Sequence, residues 1–448
     1  MTVTVPLRAR VPGAVSAAVT DIDGRPAVVV ELDPATKRGA LTELDGDTLA
    51  AAAQLARQQG VPLVAYLASS GADVGEGVAA LVGWGRAARE LVRCSGVAPI
   101  VLVVTGPAVS GPALLLGLAD VVIMTPDAYA FVSGPRMVTE FTGVPISTAA
   151  LGGPGTHSRS TGVTALLAAD VDDARDLAAV LLAHLPANAD EEPPRLATSD
   201  PTDRATPEAG ALMPATATGS YDVRSVARSI VDDGELLELR GGWAANLVTA
   251  LASIGGRPIG IVANQPQTLA GTLDIAASQK GARFVAFCDA FNVPLLTLVD
   301  TPGFSPGKDL EWRGMIRHGA QLAFAYARAT VPRISLTLRK SYGGAFIVMD
   351  SKTMGNDLAL AWPTAEIAVM GAKGAVEILH RRATADERVD LEATYEERLL
   401  NPYRATERGL LDAVIDPAES RQQIHAALDV LSTKRERLVA RSHDNTPL

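Results

Sequence analysis

Hydrophobic residues in this chain fall into short β-type runs that alternate with stretches of helical spacing, and glycine or proline punctuates most of the changes. Residues 14–32 (AVSAAVTDIDGRPAVVVEL) read as two β-rich runs joined at Asp23-Gly24, a strong hairpin signal. From Asp45 to Gly60 the apolar positions Leu49, Ala52, Ala53, Leu55 and Ala56 take helical spacing, and Gly60 ends the pattern. Residues 61–67 are predicted to form a buried strand that enters the turn Ser69-Ser70-Gly71-Ala72-Asp73, with a helix beginning near Gly77. Residues 99–104 predict a second strand, followed by a Gly/Pro/Ser turn over 105–112 and a small-residue apolar run. Short strands over 120–124 and 129–132 follow, and Ser133-Gly134-Pro135 is expected to close the unit.

Around Leu185 the pattern stops. PANADEEPPRLATSDPTDRATPEAG has almost no large apolar residue and reads equally as a linker or as an ordered but irregular loop. The alternation then resumes and repeats the first half in the same order. Gly256-Arg257-Pro258 leads into IGIVAN as Gly24-Arg25-Pro26 leads into AVVVEL. Val293-Pro294 opens LLTLVD before TPGFSPG, as Val61-Pro62 opens LVAYLA before SSGADVG. Thr330-Val331-Pro332 opens RISLTL before RKSYGGA, as Val97-Ala98-Pro99 opens IVLVV before TGPAVSG. Three ordered correspondences indicate an internal duplication of a unit in which strands and helices alternate. Residues 383–448 are charged and predicted helical, and 419–441 carry one apolar stripe of Ile424, Leu428 and Leu431, expected as an outer brace or oligomer contact.

The most informative stretch runs from Arg339 to Ile378. An apolar strand breaks at Tyr342-Gly343-Gly344-Ala345 and resumes as FIVM. Paired glycines between a strand and a helix let backbone N–H groups approach a ligand, and such a turn favours developing negative charge. Alone, Gly-Gly-Ala reads more readily as a packing turn. It is accompanied, however, by Asn264-Gln265-Pro266, Leu269-Ala270-Gly271, Lys280-Gly281-Ala282-Arg283-Phe284, Cys288-Asp289-Ala290-Phe291, Val299-Asp300, Pro302-Gly303-Phe304, Ile316-Arg317-His318-Gly319-Ala320, the run 361–366 and the run 369–374. In this ordered series the chain resembles the carboxyltransferase (β) subunits of biotin-dependent acyl-CoA carboxylases of the acetyl/propionyl-CoA type. The match is nearly continuous from about Tyr221 onward and thinner before it.

That resemblance implies an α/β fold of tandem crotonase-like ββα spiral domains, of the ClpP/crotonase superfamily. Residues 1–190 would form the acyl-thioester side, 191–220 a linker, and 221–448 the biotin side. It implies biotin as cofactor, covalently held on a separate carrier protein, because no biotin-attachment turn occurs here. The partners would be a biotin carboxylase/biotin carboxyl carrier subunit and an acyl-CoA or acyl-carrier thioester. The family's active site joins the first half of one protomer to the second half of its neighbour, so a dimer is the minimum unit and a hexamer, a trimer of dimers, the expected assembly.

Composition narrows the alternatives. Apolar residues make up 48% and charged residues 20% of 448, enough for two cores of ordinary size. A net charge of −10 and 4% aromatics argue against nucleic-acid and anionic-membrane surfaces. Cys94 and Cys288 are isolated and the histidines lack metal-ligand spacing, so neither a disulfide framework nor a metal site is expected. No signal peptide or membrane span is read, and the expected location is cytoplasmic. GFSPGKD is one residue short of a P-loop, and no GxSxG or GxGxxG fingerprint occurs.

Carboxylating a thioester at its α-carbon requires two anions to be held in turn, the enolate oxygen and the ureido oxygen of biotin. Each preorganised donor contributes about 2.7–4 kcal/mol to such a transition state. By resemblance, the Gly344 and Ala345 amides hold the ureido oxygen, and Tyr342 and Gly343 shape that turn. The matching first-half turn would use the Ser110 and Gly111 amides for the thioester. Family members usually carry Gly-Gly there; a serine is expected to fit only with negative φ, and Pro112 offers no N–H. Gly71, Ala72 and Asp73 are candidate substrate-binding residues. Asp73 stands where the family usually carries arginine, which predicts altered handling of the thioester carrier, unless Asp73 caps the following helix. Ile347 stands where many members carry aspartate at a position associated with acyl-chain choice. Arg339 and Lys340 read either as charge-offsetting or as a solvated strand end, and His318 and Glu366 read as structural. A malonyl-type thioester decarboxylase and a catalytically weakened scaffold subunit are the alternative readings.

Overall fold

The computed structural model describes residues 5–7, 13–216, 218–440 and 444–447. Most of the N-terminal stretch read for a signal peptide, Ala217 of the expected linker, and Arg441 at the end of the expected final helix lie outside the described residues. The chain divides into two compact units, one of residues 1–194 with 240–243 and 290–292, the other of residues 195–239, 244–289 and 293–448.

The first unit is built on strands β1 (Val5–Pro6), β2 (Val15–Ile22), β3 (Arg25–Leu32), β4 (Leu63–Ser69), β5 (Ile100–Val109), β6 (Val121–Met124), β7 (Tyr129–Phe131) and β8 (Leu166–Leu167). Asp23 and Gly24 both take positive φ, 48° and 82°, and close the β2–β3 hairpin as the sequence predicts. From β3 the sheet continues in parallel through β4, β5, β6 and β8. The helix Glu43–Gln59 starts at a capping box, in which the Thr42 hydroxyl accepts from Asp45 N–H while the Asp45 carboxylate accepts from Thr42 N–H, and it stops at left-handed Gly60. This helix and the helix Val78–Cys94 cover an apolar core of Val28, Val30, Leu63, Leu67, Ile100 and Leu102.

The strand predicted over 99–104 in fact runs to Val109. It keeps going because it changes partner: residues 101–104 pair with β6, and residues 107–109 pair with β7. Gly106 and Pro107 mark that handover rather than a turn. The unit also continues beyond the expected stop at Ser133-Gly134-Pro135, with the helix Pro135–Thr142, β8 and the helix Val171–Ala183.

The second unit repeats the topology. Its strands are β9 (Leu237–Glu238), β10 (Leu247–Ile254), β11 (Arg257–Asn264), β12 (Leu295–Thr301), β13 (Arg333–Tyr342), β14 (Leu358–Ala361), β15 (Glu366–Ala368) and β16 (Ala413–Val414), in the order β16-β14-β13-β12-β11-β10-β9, with β15 paired to β13. The repeated Gly-Arg-Pro has one physical role in both units. Arg25 donates to the carbonyls of Leu182 and Leu185 at the end of its unit's last long helix, at 2.5 and 2.9 Å. Arg257 likewise donates to the Leu428 carbonyl near the end of the helix Ser420–Val430. Orphan helix carbonyls are thereby satisfied by a cation.

Of the two readings of the low-apolar stretch, the structure has the ordered one from residue 195 onward. The Arg204 guanidinium meets the Asp200 carboxylate at 2.6 and 2.9 Å, and the Thr206 hydroxyl donates to the Pro417 carbonyl at 2.8 Å. The final helix is shorter than predicted, ending at Val430; Ile424 and Leu428 are buried beneath it.

Under the second sheet lies a fully buried ion pair, Arg333 with Asp350 at 2.7 Å, with Asn356 also donating to the carboxylate at 3.0 Å. Asp350→Ala leaves the guanidinium buried without its counter-ion and is expected to cost about 3–5 kcal/mol of stability. Equilibrium urea unfolding measures this; a cost under about 1 kcal/mol would contradict it.

Candidate active site

In each unit the longest parallel strand outruns its neighbour and ends in a turn that opens a helix. In the second unit β13 passes from β14 to β15 and ends at Tyr342, and the helix Gly343–Val348 follows at once. Gly343 takes φ 59°, a conformation disfavoured for side-chain-bearing residues. The first amides of this helix have no acceptor within it. Gly344 and Ala345, the pair to which the resemblance points, are the next two residues of this helix.

The turn is braced from behind. The Tyr342 phenol donates to the Glu366 carboxylate, and burial followed by this bond raises its pKa far above the usual tyrosine range, so it stays protonated. One residue pair upstream, Asp300 accepts from Tyr221 Oη at 2.8 Å, Arg339 Nε at 3.1 Å and Lys340 N–H at 3.1 Å. Burial raises the Asp300 pKa, against the opposing pull of Arg339. Of the two readings of Arg339, neither holds: it is a buried partner of Asp300 and also donates to the Gly219 carbonyl at 2.8 Å. Glu366 opens β15. His318 lies near Gln279 and Gln321, at 3.2 and 3.4 Å, consistent with a structural role.

Beside Gly344 opens a cavity of about 430 Å³, lined among others by Phe304, Met315, Ile316, Ile347 and Val348. Ile347 is 44% exposed, so its side chain is available to a ligand there. Phe304, whose ring would stand 3.4 Å from a Cβ at Gly344, was not singled out from the sequence as a wall residue; its place after Thr301-Pro302-Gly303 was the available signal.

The first unit carries the same turn with different chemistry. Strand pairing sets Val109 against Phe131 as it sets Tyr342 against Ala368, so Ser110, Gly111 and Pro112 occupy the places of Gly343, Gly344 and Ala345. This shifts the expected correspondence by one residue. The Ser110 amide is not a free donor, since it donates to the Phe131 carbonyl at 2.9 Å. The expectation of negative φ also fails: Ser110 takes φ 63° and ψ −126°, at a cost of about 1–3 kcal/mol for a residue with a side chain. With proline at the third place, Gly111 is the one backbone donor of the pair that the second unit supplies from Gly344 and Ala345. Gly111 is held by close approach, because a Cβ there would lie 2.7 Å from the Trp84 ring.

Of Gly71, Ala72 and Asp73, Gly71 is the one set against this turn, where a Cβ would lie 3.7 Å from Ser110 Cβ; Ala72 bridges to Leu41. Asp73 accepts from Gly75 N–H at 2.9 Å, as its helix-cap reading requires, and pairs with Lys37 at 2.7 Å. The Lys37 bond, with the Gly75 amide, lowers the Asp73 pKa. The reversed charge expected from Asp73 alone is thus offset by Lys37, and Arg38, also exposed, follows directly in sequence. Among the described residues no helix is long and apolar enough to cross a membrane, and no group of three or more His, Cys, Asp or Glu could hold a metal ion.

Comparison with known proteins bears on both units. The family model for the carboxyl transferase domain matches residues 6–446. The propionyl-CoA carboxylase beta chain of Saccharopolyspora erythraea is 42% identical over 446 residues, covering 95% of this chain and 82% of its own length. The biotin-dependent acetyl-/propionyl-coenzyme A carboxylase beta5 subunit of Mycobacterium tuberculosis is 41% identical over 445 residues, covering 95% of this chain and 81% of its own. The crystal structure of a transcarboxylase 12S hexamer with methylmalonyl-coenzyme A and methylmalonic acid bound superposes with a TM-score of 0.96 at 38% identity, over 99% of this chain and 90% of that one. These matches extend through the first half, where the sequence alone suggested divergence. Duplicated sheets, paired strand-to-helix turns and similarity along nearly the whole length agree: the chain belongs to the carboxyl transferase family.

Proposed function

We propose that this chain moves a carboxyl group from biotin, carried on a separate protein, to the α-carbon of an acyl-CoA thioester of the acetyl/propionyl type. The observation that carries the reading is the Tyr342–Ala345 turn: two amide donors at the edge of a cavity with apolar walls. Such a site suits a neutral bicyclic urea, whose ring needs apolar contact and whose oxygen needs donors. Biotin, when bound, supplies the activated carboxyl group and a basic ureido nitrogen. Gly344 and Ala345 would hold its carbonyl oxygen, and Phe304, Met315 and Val348 would exclude water around it. Tyr342 and Glu366 would keep the turn in register, as positioning residues rather than proton carriers.

The first-unit turn, with Gly111 as backbone donor and Gly71 beside it, would hold the thioester. Lys37 and Arg38 would be the cations that meet a phosphorylated carrier such as CoA, with Asp73 and Glu76 as the carboxylates around Lys37. The relatives named for acetyl- and propionyl-CoA carboxylases support this substrate class. The hexamer of the solved relative supports a hexameric assembly, for which a trimer of dimers would be the arrangement. A biotin carboxylase/biotin carboxyl carrier subunit would be the partner, in the cytoplasm.

Mixing the purified chain with free carboxybiotin and acetyl-, propionyl- or butyryl-CoA tests the reading. Carboxylated thioester is expected. Release of CO2 without thioester product would replace it with the decarboxylase reading, and neither would replace it with the scaffold reading. If Ile347 lines the acyl site, Ile347→Asp is expected to alter the order of preference among these three thioesters by about 10–200-fold in kcat/KM, the scale of a methylene-sized pocket difference. An unchanged order would place this side chain away from the acyl group.

A further inference from the structure

The first-unit turn is one amide short, yet it keeps a residue whose side chain makes its backbone unfavourable. Ser110 holds φ 63° and ψ −126° where the duplicate has glycine at φ 59°. Glycine would adopt this conformation without that steric cost, so backbone preference does not account for the serine. Its side chain is exposed, and its hydroxyl makes no hydrogen bond among the described residues. Its Cβ lies against the Gly71 face, on the side of the Gly71-Ala72-Asp73 turn.

We propose that the Ser110 hydroxyl is a hydrogen-bond donor to the thioester oxygen, replacing the amide that Pro112 removes from this turn. The inference rests on the carboxyl-transfer reading given above. When the α-proton passes to a base, for which biotin would supply the ureido nitrogen, the C–H electron pair becomes the enolate double bond and the carbonyl π pair moves onto the oxygen, which takes the negative charge. That oxygen needs donors, and Gly111 N–H supplies one. A serine at a strained strand-to-helix turn presents its hydroxyl beside the next residue's N–H, the arrangement that flanks a substrate carbonyl in hydrolase nucleophile elbows.

Here the hydroxyl serves as donor rather than nucleophile, because no base among the described residues is bonded to it to take its proton. His157 lies below the same strands, but its Nδ1 is engaged with the Thr161 hydroxyl at 2.8 Å and its Nε2 with the Ala130 carbonyl at 2.8 Å. No carboxylate among the described residues bonds to the serine. The duplication has therefore diverged in its donor set: two amides in one unit, one amide and one hydroxyl in the other.

Ser110→Gly separates fold from function. Relief of the backbone is expected to raise the melting temperature by about 2–4 °C. Loss of the donor is expected to lower kcat for carboxyl transfer by about 10²–10³-fold, with a smaller change in KM. Ser110→Ala keeps the strain and lacks the donor, so it is expected to lose activity without gaining stability. A Ser110→Gly protein that transfers at the wild-type rate or faster overturns the proposal. A wild-type protein that transfers to no thioester instead refutes the reading on which it rests. A stable acyl adduct on Ser110, seen by mass spectrometry after incubation with the thioester, would overturn the donor role in favour of a nucleophile.

Discussion

A parallel strand that outlasts its neighbour and pairs with a second one must release its backbone where that second neighbour stops. β5 and β13 both do this, passing from β6 to β7 and from β14 to β15. At the release point the chain turns through positive φ into a short helix, and the amides just beyond have no ladder partner. Backbone donors are thus produced by sheet topology rather than by a particular side chain. The rest of each unit serves to hold that turn in place, from the hairpin that starts the sheet to the arginine that ties the last long helix to it.

The two turns share a geometry and differ in how they are supported. The second is locked by buried polar groups, with Tyr342 on Glu366 and Asp300 gathering Tyr221, Arg339 and the Lys340 amide. Such a network is strong when complete and costly when broken. The first is held mainly by packing, with Trp84 against Gly111. Its donor set also changed, with serine and proline in place of glycine and alanine. Duplication lets one copy keep two amides while the other exchanges one for a hydroxyl, since each needs only to stabilise its own anion.

Much of this was legible in the sequence for identifiable reasons. Asp23-Gly24 forms the hairpin its dipeptide specifies, Gly60 ends its helix in the left-handed conformation, and the three repeated strand entries became equivalent strands. Asp73 was read correctly as a possible cap, but its partner Lys37 lies 36 residues away, beyond any local pattern. The handover at Gly106-Pro107 was invisible because turn residues also suit a strand between partners. The shift by which Ser110 corresponds to Gly343 follows from strand register, which periodicity does not determine. Arg339 looked like an available charge because its acceptor, Asp300, comes from a different strand.

The central claim is that amide N–H groups after the strand, and not side chains, hold the anion in the second unit. The first unit shows that this turn accommodates proline at the place of Ala345, because Pro112 already stands there at the start of a helix. Ala345→Pro therefore removes one N–H from a position where proline is structurally acceptable. The decisive measurement is kcat for carboxyl transfer by this variant, with its melting temperature recorded alongside. The account predicts a folded protein slowed by about 10²–10³-fold; a folded protein working at the wild-type rate would contradict it.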